Sequence, residues 1–286
     1  MRGRVLIVAG SDSGGGAGIQ ADIKAVTALG GYAATAITAL TAQNTLGVHG
    51  VHPVPPDFIA QQMRVVLDDI GADCVKTGML GTAAVIETVV AALPQDVPLV
   101  VDPVMVAKGG ARLLDVAAED TLRAVLVPRA TVLTPNLPEA AALTGFDIPD
   151  VAAMQRAGEA LLALGAQTVL VKGGHLEGDR LTDLLVTADG TEAFEGKRLA
   201  TRHTHGTGCT LASAIATGIA QDLSVRDAVV RARAYVTAAI ASAPGYGQGH
   251  GPLDHAVTVG ELPGADARAG TENTPHTDPP PQGGRE

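Results

Sequence analysis

VLIVAGSDSGGGAGIQADIKAVTALG, residues 5–30, is the stretch that decides the fold class. Its first five residues are a continuous apolar run. A strand with one face in water alternates apolar and polar residues, whereas an uninterrupted run calls for a sheet covered on both faces. A glycine-rich turn follows, then a helix over 17–30 with Ile19, Ile23 and Val26 on one face at spacings of four and three. The result is a single βα unit. Outward from it the alternation repeats, with strands expected at 33–41, 74–77, 99–102, 131–134, 168–172 and 183–187. Helices are expected at 56–70, 83–93, 117–127, 138–144, 151–164, 207–221 and 225–242. This order predicts an α/β fold of three layers, α/β/α, around a mostly parallel central sheet.

Composition agrees with one large domain. The 286 residues are 46% hydrophobic and 17% charged, so a sizeable core is available and wholesale disorder is excluded. Aromatics are only 2%, with no Trp, which leaves the core to Ala, Val, Leu and Ile and removes the stacking platforms of a single-strand nucleic-acid binder. Twenty Lys and Arg against thirty Asp and Glu give a net charge of −10, the wrong sign for a phosphate backbone. An anionic ligand must therefore be held by local N–H groups or a few placed cations. Two cysteines, Cys74 and Cys209, make no disulfide framework and suit a reducing, cytoplasmic compartment. The uncharged stretch 25–56 is interrupted by Gln43, Asn44, two His and several Gly and Pro, so no membrane span is expected. Residues 263–286, dense in Pro and Gly, read as a disordered tail beyond a domain of 1–262. Truncation after Leu262 should leave the melting temperature unchanged. A fall of several degrees would show that the segment docks.

In open parallel sheets ligands sit at the carboxyl ends of the strands, so chemistry is sought there. The first strand delivers Gly10 to Asp12 and the glycine-rich turn, with Asp22 further on. This turn is neither a Walker loop nor a dinucleotide fingerprint. The second delivers Gln43, whose amide suits a heterocycle edge with an amino group beside a ring nitrogen, although alone it reads as an ordinary polar loop residue. Met79 follows a strand and a glycine turn, as pocket wall or core filler. Asp102, Asn136 and Glu139 at neighbouring strand ends are oxygen ligands suited to Mg²⁺, while Asn136 and Glu139 also fit a helix cap and first-turn acid. Lys172 ends an apolar strand and needs an anionic partner, for which a phosphate is the expectation. Gly206-Thr207-Gly208 before an Ala-rich helix aims N–H groups outward as an anion hole, and Cys209 sits in the first turn, where the dipole should lower its pKa. His203 and His205 lack companions for a zinc site and read as polar residues preceding a helix.

Together, AGSDSGGGAGIQADIK at 9–24, TALTAQNT at 38–45, KTGML at 76–80, DPVM at 102–105, TPNLPEA at 134–140, VKGGH at 171–175 and HTHGTGCTLASAIA at 203–216 resemble the hydroxymethylpyrimidine kinase/phosphomethylpyrimidine kinase family of thiamine biosynthesis, within the ribokinase-like fold. Many ribokinase-like sugar kinases have Asp where this chain has Cys209, as the pyrimidine-kinase branch does. The resemblance covers nearly the whole domain. It implies transfer of the ATP γ-phosphate to 4-amino-5-hydroxymethyl-2-methylpyrimidine and then to its monophosphate. It also implies that Gln43, Asp22, Gly10 and Met79 form the pyrimidine pocket and that Cys209 deprotonates or orients the acceptor. Gly206, Thr207 and Gly208 would stabilise the moving phosphoryl group, Lys172 would contact phosphates, and Asn136, Glu139 and Asp102 would organise Mg²⁺. A homodimer is a further expectation from the family. Two rivals stand beside this reading. One is a pyridoxal/pyridoxine kinase of the same superfamily, and the other is a non-catalytic pyrimidine-binding sensor, which would not need the Gly206–Cys209 loop.

Overall fold

The apolar runs become the central strands of one nine-stranded sheet in a computed structural model, which describes residues 2–260 apart from Glu177. The tail expected at 263–286 lies outside the described residues. In chain order the strands are β1 (Arg4–Asp12), β2 (Tyr32–Asn44), β3 (Gly47–Pro53), β4 (Cys74–Thr77), β5 (Leu99–Val101), β6 (Val132–Leu133), β7 (Thr168–Val171), β8 (Arg180–Thr187) and β9 (Gly190–Lys197). The helices are α1 (Gly18–Ala28), α2 (Pro56–Asp69), α3 (Ala83–Ala92), α4 (Val116–Thr121), α5 (Leu137–Thr144), α6 (Val151–Ala163), α7 (Thr207–Ala220) and α8 (Val225–Ala241). Strand order is β3-β2-β1-β4-β5-β6-β7-β8-β9, parallel from β2 through β7 and antiparallel at β3, β8 and β9.

Both faces are covered, as the continuous runs require. Along β1, Val5, Ile7 and Ala9 enter a core shared with α1, α7 and α8, while Leu6 and Val8 enter the core built with α2 through α6. Each buried Val, Leu or Ile contributes about 1.5–3 kcal/mol, so the apolar character of these strands is itself the main stabilising term. Helix α7 is buried along almost its whole length, which explains its run of Ala, Ser, Thr and Gly. A Cβ at Gly218 would lie 2.6 Å from Ala228 Cβ, so α7 and α8 approach too closely for a larger residue there.

Two strands fall outside the expectation. β3 carries GVHGVHP and β9 carries GTEAFEGK, and both are mostly exposed at or beside a sheet edge, where no apolar run is needed. The helix expected over 117–127 is α-helical only through Thr121. A π-helical turn at Leu122–Leu126 and a 3-10 turn at Val127–Arg129 follow, where Pro128 has no N–H to continue the ladder. No helix among the described residues is long and apolar enough to cross a membrane.

Candidate active site

The carboxyl ends of β1, β2, β4 and β7, the loops after β5 and β6, and the N-terminus of α7 open on one cavity of about 1410 Å³. Sites for a single small ligand are roughly 300–1,000 Å³, so this one has room for two.

On one side β1 ends in Asp12, whose carboxylate gathers the glycine-rich turn. Its Oδ1 accepts from Gly14 N–H at 2.8 Å, and its Oδ2 accepts from Gly16 N–H at 3.2 Å and Ala17 N–H at 2.8 Å. Burial alone would raise this carboxyl. His205 and these N–H groups outweigh it and hold the group below the usual carboxylate range. His205 Nε2 lies 2.8 Å from Asp12 Oδ2, which ties the first turn to the loop before α7. Gly206 completes that junction: it sits at φ +81°, and a Cβ there would come within 1.8 Å of Gly16 O. Gln43 reaches the same point, with Nε2 3.3 Å from His205 Nε2 and Oε1 3.2 Å from Thr41 Oγ1. Met79 backs the wall, where a Cβ on Gly10 would stand 3.0 Å from its Sδ.

Across from Gln43, α7 begins with Gly206 as a cap that offers no side chain. Thr207 N–H and Thr210 N–H find carbonyls at Thr204 and Gly206, but the N–H groups of Gly208 and Cys209 have no acceptor among the described residues. They are the unpaired donors of a helix start, suited to an anion. Cys209 lines the cavity beside them. The expected lowering of its pKa is corrected by the structure: desolvation pushes the thiol up to about 12, with Asp22 and Asp102 adding and Lys76 opposing. Cys209 is half-buried at the cavity wall, and a helix dipole worth about 0.3–1 kcal/mol, less than one pKa unit, is outweighed by the desolvation there. The resting side chain is a neutral thiol.

Behind Cys209 lies a fully buried ion pair. Lys76 Nζ donates to both Asp22 oxygens at 2.9 Å, and Ser213 Oγ donates to Asp22 Oδ1 at 2.7 Å. Burial alone would discharge Lys76, and the Asp22 carboxylate overrides it and holds the ammonium above its ordinary pKa. Asp22, expected in the pyrimidine pocket, does not line the cavity; Lys76 does.

At the ends of β5 to β7, Lys172 Nζ lies 3.0 Å from Asp102 Oδ1 and 3.9 Å from Glu139 Oε2. The anionic partners of this strand-terminal lysine are thus carboxylates of the protein itself. Glu139 Oε2 accepts from Asn136 N–H at 2.8 Å and Asn136 Oδ1 accepts from Glu139 N–H at 2.9 Å, a closed capping box. Desolvation, with Asp102 adding, raises Glu139 although Lys172 opposes it. These bonds decide which lone pairs remain for Mg²⁺. Asn136 Oδ1 spends one lone pair on the cap and keeps the other, so the cap leaves it able to ligate as well. Asp102 Oδ2 and Glu139 Oε1 keep free lone pairs, and no group of three metal-ligating side chains exists among the described residues. Two carboxylates suit an ion that keeps its waters and arrives with phosphates.

The far wall comes from β9 and α8. Arg233 donates to Asp183 Oδ2 at 2.8 Å and to Phe194 O at 2.9 Å, and stacks over the Phe194 ring with its guanidinium 5.4 Å from the centroid.

The cavity therefore brings together Gly10, Gln43, Met79, Asp102, Asn136, Glu139, Lys172 and Gly206 through Cys209, and leaves Asp22 behind its wall. Lys76, Asp12 and His205 are the residues the sequence reading did not assign. Lys76 carried the signal used for Lys172, a cation within an apolar strand. The Asp12–His205 contact spans 193 residues and carried none.

Comparison with known proteins agrees with this geometry. The family profile described as phosphomethylpyrimidine kinase matches residues 12–254. A hydroxymethylpyrimidine/phosphomethylpyrimidine kinase of Streptomyces coelicolor is 51% identical over 258 residues, covering 90% of this chain and 96% of that protein. A thiamine biosynthesis bifunctional protein of Geobacter sulfurreducens is 51% identical over 263 residues, 91% of this chain, and the chain spans 54% of its length. Among solved structures, the ADP complex of Bacillus subtilis pyridoxal kinase superposes with a TM-score of 0.84 at 38% identity, covering 90% of this chain and 98% of that one.

Proposed function

We propose, from the premise that this chain belongs to the phosphomethylpyrimidine kinase family, that it transfers the γ-phosphoryl group of ATP to the 5-hydroxymethyl oxygen of 4-amino-5-hydroxymethyl-2-methylpyrimidine. It then phosphorylates the monophosphate to the diphosphate. The observation that carries this reading is the pairing, across one cavity, of a heterocycle-reading amide at Gln43 with unpaired N–H groups at Gly208 and Cys209.

Phosphoryl transfer asks mainly for positioning and charge stabilisation. Gln43, Gly10 and Met79 hold the pyrimidine. The start of α7 faces the transferring group, with the Gly208 and Cys209 N–H groups in place and unspent. Cys209, as a neutral thiol, accepts a hydrogen bond from the hydroxymethyl group and orients its oxygen. In a loose transition state the alcohol proton leaves late and passes to an oxygen of the transferred phosphoryl group or to water, so a thiolate is not needed at the start. Lys172 swings from Asp102 and Glu139 toward incoming phosphates. Mg²⁺ when bound offsets phosphate charge, and Asp102 and Glu139 would hold it. The part of the cavity walled by Arg233 and Phe194 takes the nucleotide.

Phosphorus NMR of ATP, the pyrimidine and the protein should show a monophosphate resonance and then a diphosphate. ADP and inorganic phosphate alone would mean hydrolysis without transfer. Gln43→Ala should weaken pyrimidine binding by about 5- to 150-fold, from roughly 1–3 kcal/mol of lost hydrogen bonding, and leave ATP affinity in place. Equal losses for both ligands in calorimetry would make Gln43 structural.

A second reading, acceptance of pyridoxal, is favoured by the superposition on a pyridoxal kinase. The sensor reading has no use for the free N–H groups at α7. Consistent with the family, we place the protein in the cytoplasm as a homodimer.

A further inference from the structure

The protons around Gln43 are over-determined, and they fix how this amide faces its ligand. Asp12 receives three backbone N–H groups and stands 2.8 Å from His205 Nε2. Each of those groups is a donor to an ionised carboxylate, which has no proton to give back, so His205 Nε2 carries the hydrogen. One end of the Gln43 amide lies 3.3 Å from that same nitrogen. An NH₂ placed there would set donor against donor. The other end lies 3.2 Å from Thr41 Oγ1, whose single proton has a nearer acceptor, Ser11 O at 2.9 Å. With that proton on Ser11, the hydroxyl turns a lone pair toward Gln43. With the oxygen toward the imidazole, the N–H held by Asp12 is shared with Gln43 at the longer distance. With the nitrogen toward Thr41, a lone pair is met. The reverse orientation sets donor against donor at His205.

We propose that His205, held by Asp12, is a positioning residue that orients the Gln43 amide with its oxygen toward the imidazole N–H and its nitrogen toward Thr41 Oγ1. The amide then has one N–H and one oxygen lone pair left for the cavity, in a fixed order along its edge. A 4-aminopyrimidine offers a ring nitrogen and an amino N–H, which complement that order. A 4-oxopyrimidine offers a ring N–H and a carbonyl, the reverse. His205 thereby selects between ligands through the amide it orients. Gln43 is half-buried between the buried Thr41 and His205, so a mismatched edge leaves groups unpaired where water has little access.

This inference rests on the pyrimidine-kinase reading, and its test separates the two. Long-range ¹H–¹⁵N spectra of the ligand-free protein should show His205 protonated at Nε2. Protonation at Nδ1 alone would make Nε2 an acceptor for the amide NH₂ and overturn the proposal, whatever the substrate is. Calorimetry should then compare 5-hydroxymethyl-2-methylpyrimidine bearing a 4-amino or a 4-oxo group. The wild type should prefer the amino ligand by about 100-fold or more. His205→Phe, which keeps the ring and loses the N–H, should cut that preference at least tenfold while ATP affinity holds. His205→Gln, which restores an N–H, should recover most of it. A folded His205→Phe protein with an unchanged preference would refute the role, and should that variant not fold, an unchanged preference in His205→Ala would do the same. Failure of wild-type protein to bind either pyrimidine would refute the substrate reading instead, leaving the tautomer to decide the network.

Discussion

Asp22→Ala should lower stability by about 3–5 kcal/mol, because it leaves the Lys76 ammonium buried with no partner. In a domain of this size that corresponds to a melting temperature lower by on the order of ten degrees. Both side chains are fully inaccessible, so water cannot take the place of the lost carboxylate. The double change Asp22→Asn with Lys76→Met should recover most of the loss. It removes both charges together, and the Asn oxygen can still accept from Ser213. Activity need not return with stability, since Lys76 is the cation that opposes the rise of the Cys209 pKa. Calorimetric melting of the three proteins checks this. An Asp22→Ala variant as stable as its parent would mean that Lys76 escapes into the cavity and that the pair is no structural element.

Cys209→Ala should bind ATP and the pyrimidine with affinities near the wild type and turn over about 100-fold more slowly. That is the low end of what a general base supplies, and suits a group that orients the acceptor oxygen. Cys209→Ser distinguishes the two roles. A hydroxyl keeps the orienting hydrogen bond, so the serine variant should retain most of the rate, whereas a true base would be replaced better by Asp. Alkylation reports the thiol directly. With the group pushed up to about 12, iodoacetamide should react slowly at neutral pH and about tenfold faster for each pH unit through pH 8–10, with no plateau. A plateau near pH 8 would show an ordinary or lowered thiol and return the base role to Cys209. Single-turnover kinetics of Cys209→Ala at wild-type speed would remove the residue from the chemistry.

How much of this was legible in the chain follows from what each feature depends on. The central strands depend on burial of both faces, which writes a continuous apolar run, and β4 begins and ends at the expected 74 and 77. The edge strand β3 and its counterpart β9 depend on main-chain pairing with an already formed neighbour, which leaves no mark on composition. The strand-end rule found Lys172 and Asp102 because topology alone puts them there, and the Gly-Thr-Gly run before an Ala-rich helix marked the Gly206–Cys209 turn. The family resemblance placed Asp22 in the pocket, but a position one turn into α1 faces either the cavity or the core. The choice belongs to Lys76, 54 residues away. Cys209 fails differently. The dipole argument was local and right in sign, and it lost to desolvation, which only the packed structure reveals.

The central claim, a pyrimidine hydroxymethyl kinase, is tested most directly by ATP-dependent phosphorylation of the two vitamin rings side by side. The measurement is kcat/KM for 4-amino-5-hydroxymethyl-2-methylpyrimidine and for pyridoxal, read as ADP release together with phosphorylated product. The account predicts efficient phosphorylation of the pyrimidine, onward conversion of its monophosphate to the diphosphate, and a lower kcat/KM for pyridoxal. Turnover of pyridoxal with none of the pyrimidine, or ADP release with neither ring phosphorylated, would contradict it.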